Sequence, residues 1–295
     1  MKPRKSIQGI LIMIASQLIF VSAWVAMKHA GGRIPLFEVL LFRGLFSLLL
    51  IVPLILIRKR SFRPKNWLII FTRSLFGYIA LAMFLHAMLN MEMGNATSLF
   101  NTLPIFVAIL APALLKEPFG KLQFIFILIS FIGIAIILRP DSNIFEGAAI
   151  YALSAGIFAA LAMISLRKLG STDSPLVVTF YFTLFIIFLS LPMAVKDFII
   201  PTHNEFMILA FAGISLGLAQ VMMTSAYKLG TASSIAPFGY VFVIGSYFSG
   251  LFFFSEMPDK WSIIGAAIVI IGGVCIMLTS PKKQCVPGST PGLKV

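Results

Sequence analysis

Four polar side chains fall inside long apolar runs of this 295-residue chain: Tyr78, Asn101, Gln220 and Tyr240. Amide and phenol groups held among apolar residues can orient the polar head of a bound molecule. Trp24, His86, Phe238 and Phe242 lie in the same runs and would supply aromatic walls for an apolar part. The competing reading is structural, with Asn101 and Gln220 as interhelical glue and the aromatics and His86 as core. Four charges raise ionic chemistry. Glu38 and Glu117 have the groups to carry a proton, but both stand near run ends, which favours structural roles. Arg43 and Arg73 are expected to find partners across helices, and Arg73, six residues into its run, is placed to snorkel to the nearer end. Glu38 and Arg43 are about 140° apart around a helix, so they do not share a face. Lys28 and His29 close the first run and read as solvent-exposed.

Such residues need long helices to carry them. Hydrophobic residues make up 59% of the chain and charged ones 11%, with a mean hydropathy of +1.02. One soluble core cannot absorb that much apolar surface, and water does not tolerate the excess. Lipid is the solvent that fits. Ten apolar runs emerge: Ile7–Met27, Leu36–Ile57, Trp67–Leu89, Gly94–Leu115, Leu122–Leu138, Glu146–Leu166, Pro175–Val195, Phe206–Ala226, Thr231–Phe254 and Trp261–Thr279. Each approaches the length of about 20 residues that a helix needs to cross a bilayer. Barrel strands would be half as long and would alternate in polarity, so the expected fold is an all-α polytopic membrane protein. The first run resembles a signal peptide in its basic start but is too long and is followed by nine similar runs. Proline at 53, 104, 112, 192 and 237 is tolerable in such helices. Pro104 and Pro237 are the expected helix breaks, where freed carbonyls become available to a solute.

The net charge of +13 is a topology signal rather than a groove for phosphates. The N-terminus, the even-numbered links and the tail hold 16 Lys and Arg, against 5 in the odd-numbered links. The positive-inside rule therefore predicts both termini in the cytoplasm. The cluster Arg58, Lys59, Arg60, Arg63 and Lys65 is the strongest anchor. Two cysteines, Cys275 and Cys285, and three scattered histidines give no disulfide framework and no metal site. No phosphate loop and no nucleophile–base or metal-hydrolase motif is present. Neither an enzyme nor a cofactor is called for, and the expected partners are a small solute and membrane lipid, not nucleic acid. A monomer or weak homodimer is expected.

The chain also repeats itself. Gly9 to Gly32 resembles Gly147 to Gly170, Pro53 pairs with Pro192, and Glu117, Lys121 and Gly133 match Glu256, Lys260 and Gly272 at an offset of 139. Five runs per half is an odd number, so the second half must enter the membrane from the opposite side. Two inverted five-helix repeats are the plan of many alternating-access proteins. The expected division is 1–140 and 141–281, with 282–295 a linker-like, disordered tail.

Ordered through these runs are Phe37-Glu38-Val39 to Phe42-Arg43, Arg73 to Gly77-Tyr78, Ala96-Thr97 through Pro104 and Glu117, and Arg139-Pro140. The second half contributes Ala232 to Ala236-Pro237-Phe238, Glu256 with Pro258-Asp259, Gly265 and Gly272-Gly273. In this order the chain resembles the drug/metabolite transporter superfamily, in its ten-helix branch built from two EamA-like domains. The resemblance implies a solute held between the halves, among spans one, three, four, six, eight and nine. It also implies movement of amino acids or other metabolites without ATP. Some likeness to S-adenosylmethionine uptake transporters and to amino-acid exporters keeps that cofactor's uptake as an alternative. The four-helix multidrug members carry a deep glutamate in span one; this chain has none there, which weakens simple cation/proton antiport. A non-transporting receptor or scaffold is the reading of another class.

Overall fold

A computed structural model describes residues 3–59, 61–115, 121–138, 147–169, 173–229 and 236–279. Glu117 and the tail after Thr279 lie outside the described residues, as do Glu146 and Thr231, the expected starts of two spans. The described chain is helical: α1 (Pro3–Ala30), α2 (Leu36–Ile57), α3 (Trp67–Asn90), α4 (Met93–Phe100), α5 (Leu103–Leu115) and α6 (Lys121–Leu138) in the first half. The second half has α7 (Ala148–Leu169), α8 (Pro175–Ala194), α9 (His203–Leu229), a 3-10 turn (Ala236–Tyr240), α10 (Val241–Phe254) and α11 (Lys260–Thr279).

Eight segments are long and apolar enough to cross a membrane, taking α4 and α5 together, and Phe124–Ile137 and Phe238–Phe254 are shorter apolar helices. Helix is the form lipid demands, because each backbone N–H must find its carbonyl within the segment. Pro53, Pro112 and Pro192 sit inside uninterrupted helices. The fourth run does break. Pro104 has no N–H to give the Phe100 carbonyl, and α4 stops at Phe100. Asn101 and Thr102 close that end, their amides reaching the carbonyls of Thr97 at 2.9 Å and Leu99 at 3.2 Å. The described part of the ninth run begins with the 3-10 turn Ala236–Tyr240, which leads straight into α10.

The surface inverts the pattern of a soluble protein. Small and hydroxyl-bearing residues are buried, among them Ser16, Ala23, Ser47, Ala96, Ala155 and Thr183, together with large ones such as Phe84 and Met27. Many large apolar residues also face out: Phe188 is 77% exposed and Phe252 76%. Small residues allow close helix approach, which supplies the packing that lipid-embedded helices rely on. Where α6 meets α11, a methyl on Gly133 would lie 2.9 Å from the Gly265 carbonyl, and one on Gly265 would lie 2.8 Å from that of Gly133.

The main helix pairings run between the two halves: α3 on α7, α1 on α9, α2 on α8 and α9, α6 on α11, and α4 on α10. Loop contacts then define two ends. At one end, Arg33 bonds Glu205 and the Ile200 carbonyl, the Glu38 carboxylate accepts the Ile199 N–H at 3.0 Å, and Lys28 pairs with Glu256. At the other, the Lys65 N–H donates to Asp173 at 2.8 Å and the Tyr181 hydroxyl to the Phe62 carbonyl at 3.1 Å.

Candidate solute-binding site

The wall of the site starts on α1. Trp24 meets Phe84 of α3 edge-on at 4.6 Å, Phe84 stacks on Phe100 at 4.3 Å, and Phe242 of α10 lies 6.2 Å from Phe84 and 6.3 Å from Phe20. Centroids at these spacings, edge-on or offset, put positive ring edges against negative faces. Trp24 and Phe242 are therefore joined through Phe84. Phe84 itself went unnoticed among 29 phenylalanines. Phe238 belongs to another patch, packed with Met13 and Met223 against Ala226. Met13 and Trp24 are eleven residues apart, or roughly 16 Å along α1.

The polar candidates divide in the same way. Tyr240, at the end of the 3-10 turn, and Asn101, at the break between α4 and α5, converge, the Tyr240 hydroxyl lying 3.5 Å from the Asn101 carbonyl. The Asn101 amide turns back to the Thr97 carbonyl at 2.9 Å, so it caps α4. Tyr78 faces α8, its oxygen accepting from the Ser190 hydroxyl at 3.3 Å. Gln220 is half-buried on α9, and its backbone carbonyl takes the Thr224 hydroxyl. His86 stands apart from these, against Tyr151 of α7 at 4.4 Å. Gln17, buried on α1 beside Ser16 and Met13, was missed, although a Ser-Gln pair in an apolar run is a visible signal.

A polar network ties α4 to α10. The Tyr247 hydroxyl donates to Asn95 Oδ1 at 2.9 Å and accepts from Ser98 at 3.2 Å, with the Ser262 carbonyl at 3.3 Å. Gly94 makes room for this ring, since a methyl there would fall 2.2 Å from it. Tyr247→Phe is expected to lower stability in detergent by about 1 kcal/mol, the net worth of an intramolecular hydrogen bond. Tyr78→Phe, with one longer contact, should cost less. Matched thermal melts check the ordering.

The charges depart from expectation. Lys28 is not solvent-exposed: it pairs with Glu256, donates to the Met91 carbonyl at 2.9 Å and lies 5.1 Å from the Phe254 ring centroid. The pair sits one turn beyond Trp24 and so covers this end of the aromatic cluster. Arg73 does not snorkel. Both it and Arg43 are buried, and neither finds a hydrogen-bond or ion-pair partner among the described residues. Burial against Phe182 takes the place of the interhelical partners expected for them. Glu38 is buried too, with Oε2 bonded to Ile199 and Oε1 unpartnered. Arg33, in the link between α1 and α2, is held above the ordinary guanidinium range by its hydrogen bond with Glu205. No group of metal-ligating residues occurs among the described residues. An apolar groove of about 530 Å³ between α5 and α6, lined by Ile109, Pro112, Phe124, Leu128 and others, includes none of the candidates.

Residues 7–139 and again 147–278 match the EamA-like transporter family. The chain belongs to that family. As an EamA-like protein it is a membrane-embedded helical transporter of small organic solutes, not an enzyme. It is similar to the pseudopaline exporter CntI of Pseudomonas aeruginosa, 25% identical over 93% of this chain and 97% of the relative. The S-adenosylmethionine uptake transporter of Rickettsia prowazekii is 26% identical, over 88% of this chain and 89% of the relative. An uncharacterized transporter of Helicobacter pylori is 25% identical over 94% and 96%. One crystal structure superposes with a TM-score of 0.67 at 16% identity, covering 92% of this chain and 97% of the other, which speaks to the fold alone.

Proposed function

We propose that this EamA-like protein moves amino acids or related metabolites across a bacterial cytoplasmic membrane by alternating access between two inverted repeats. The repeats are residues 1–140 and 141–281, with five spans each and both termini inside. The observation that carries the reading is a mated pair of contacts. Trp67 packs on Tyr181 at 4.7 Å, and their counterparts 139 residues away, Phe206 and Phe42, pack at 6.1 Å. Trp67 opens α3 near the end where Lys65 meets Asp173, whereas Phe206 lies near the end where Arg33 meets Glu205. Likewise a methyl on Gly133 would lie 2.9 Å from the Gly265 carbonyl, and one on its counterpart Gly272 would lie 3.3 Å from the carbonyl of Phe126, the counterpart of Gly265. A twofold axis in the membrane plane would generate this exchange of ends. The basic cluster from Arg58 to Lys65 supports a cytoplasmic position for the Lys65–Asp173 end.

Aromatic rings on α1, α3, α4 and α10 beside the break between α4 and α5 suit a solute with an apolar part and a polar head. The Rickettsia relative favours S-adenosylmethionine as the second reading. The relatives include one named exporter and one named uptake transporter at nearly equal identity, so transport is measured in both directions. Protein purified and reconstituted alone into liposomes should give counterflow of at least one amino acid or of S-adenosylmethionine. No flux with any solute of the panel, in folded protein, would make it a receptor or scaffold.

A further inference from the structure

Arg43 and Arg73 reach one phenylalanine from two helices. The guanidinium carbon of Arg43 is 5.9 Å from the centroid of Phe182 and that of Arg73 is 4.2 Å. Arg43 is 6% exposed and Arg73 9%, and the Nε and Nη1 atoms of both are buried without a partner. No carboxylate pairs with either among the described residues. Glu38, on the same helix as Arg43, turns to the Ile199 N–H.

Depth makes this arrangement costly. A methyl on Gly77 would lie 2.7 Å from Arg73 Nη1 and 2.9 Å from the Phe182 ring, so the guanidinium lies over Gly77, one turn deeper than its own Cα. Gly77 is ten residues into α3, roughly 15 Å at 1.5 Å per residue. That is about half of a 30 Å hydrocarbon core. Two cations at the midplane repel each other and leave N–H groups unmet, and a ring face returns only a small part of what desolvation removes. Charges at such depth are characteristic of solute pathways. A buried guanidinium matches a carboxylate in geometry and charge, and offers it paired N–H donors.

We propose that Arg43 and Arg73 form an anion subsite that takes the carboxylate of the transported solute at mid-membrane. The subsite rests on the transporter reading and narrows it: the solute carries a free carboxylate, and its other end extends toward the aromatic cluster beyond Tyr78. Phe182 is the ring both arginines reach, and the missing side chain at Gly77 leaves Arg73 its place.

The test compares amino acids with their amides, and S-adenosylmethionine with its methyl ester, as competitors of counterflow in proteoliposomes. The free carboxylates should compete at least tenfold better than the blocked forms, since a charge-assisted hydrogen bond carries at least that factor. Arg43→Gln and Arg73→Gln should erase the preference, and Arg73→Lys should restore part of it. Gly77→Ala, which displaces Arg73 while keeping both charges, should weaken carboxylates alone. In detergent, acetate at an ionic strength matched with chloride should raise the melting temperature of the unmodified protein and not that of Arg43→Gln, a readout independent of flux. Equal competition by blocked and free forms would overturn the subsite while leaving transport intact. So would a preference unchanged in the glutamine variants, or one that follows anionic lipid content rather than the solute. Absence of flux with every solute fails the transporter reading instead, and acetate stabilisation lost in Arg43→Gln would still locate an anion site.

Discussion

Phe84→Ala should destabilise the protein by about 3 kcal/mol, more than any other single truncation in the aromatic cluster. The Phe84 side chain is 1% exposed and joins Trp24, Phe100 and Phe242, so its loss withdraws packing from α1, α4 and α10 together. In lipid the water-transfer part of such a cost is muted, but the cavity remains, because lipid chains cannot reach it. Phe188→Ala is the matched control: a ring 77% exposed faces lipid, and its removal should cost under about 0.5 kcal/mol. Unfolding in mixed micelles, followed by tryptophan fluorescence, measures both. Equal costs would mean that Phe84 is not the centre of the aromatic cluster.

How much of this was legible differs by level. The helices follow from composition and run length, and the break before Pro104 follows from one missing N–H. Arg43 and Phe182, 139 residues apart, meet in space, which a repeat offset alone does not foretell. The direction of a side chain was not legible. Arg73 is six residues from the end of its helix by sequence, and snorkelling was the natural expectation. Gly77, four residues on, was the one signal that it turns inward, because a small residue one turn away leaves room for a guanidinium. Lys28 failed for another reason. Its partner Glu256 is 228 residues away, and no local periodicity reports such a pairing. Gln220 and Asn101 were found by depth alone, which says that a group is in the membrane but not which helix it faces.

Glu256→Gln carries the second large effect, and its logic separates a latch from an ordinary surface ion pair. One Glu256 oxygen pairs with Lys28 and the other accepts the Met93 N–H at 2.8 Å, at the first residue of α4. The carboxylate therefore neutralises a lysine on α1 and caps the positive end of α4 at once. Ser255 places it there, with a left-handed φ of 54° ending α10 and the Glu256 N–H turned back to the Gly250 carbonyl. Side-chain exposures of 11% for Lys28 and 16% for Glu256 put the pair between the buried and surface regimes. Losing the acid should cost about 2 kcal/mol, below the 3–5 kcal/mol of a fully buried pair. Lys28→Met should cost less, because a charged carboxylate still caps α4. Glu256→Gln instead leaves the Lys28 ammonium without its counter-charge and α4 with only a neutral acceptor. The exchanged double variant, Lys28→Glu with Glu256→Lys, should stay impaired, since a lysine cannot accept the Met93 N–H. If the pair holds this end closed in transport, Glu256→Gln should raise the labelling rate of a cysteine replacing buried Met27 by on the order of tenfold or more. An unchanged rate, or full rescue by the exchange, would reduce the pair to simple charge neutralisation and remove the latch from the transport cycle.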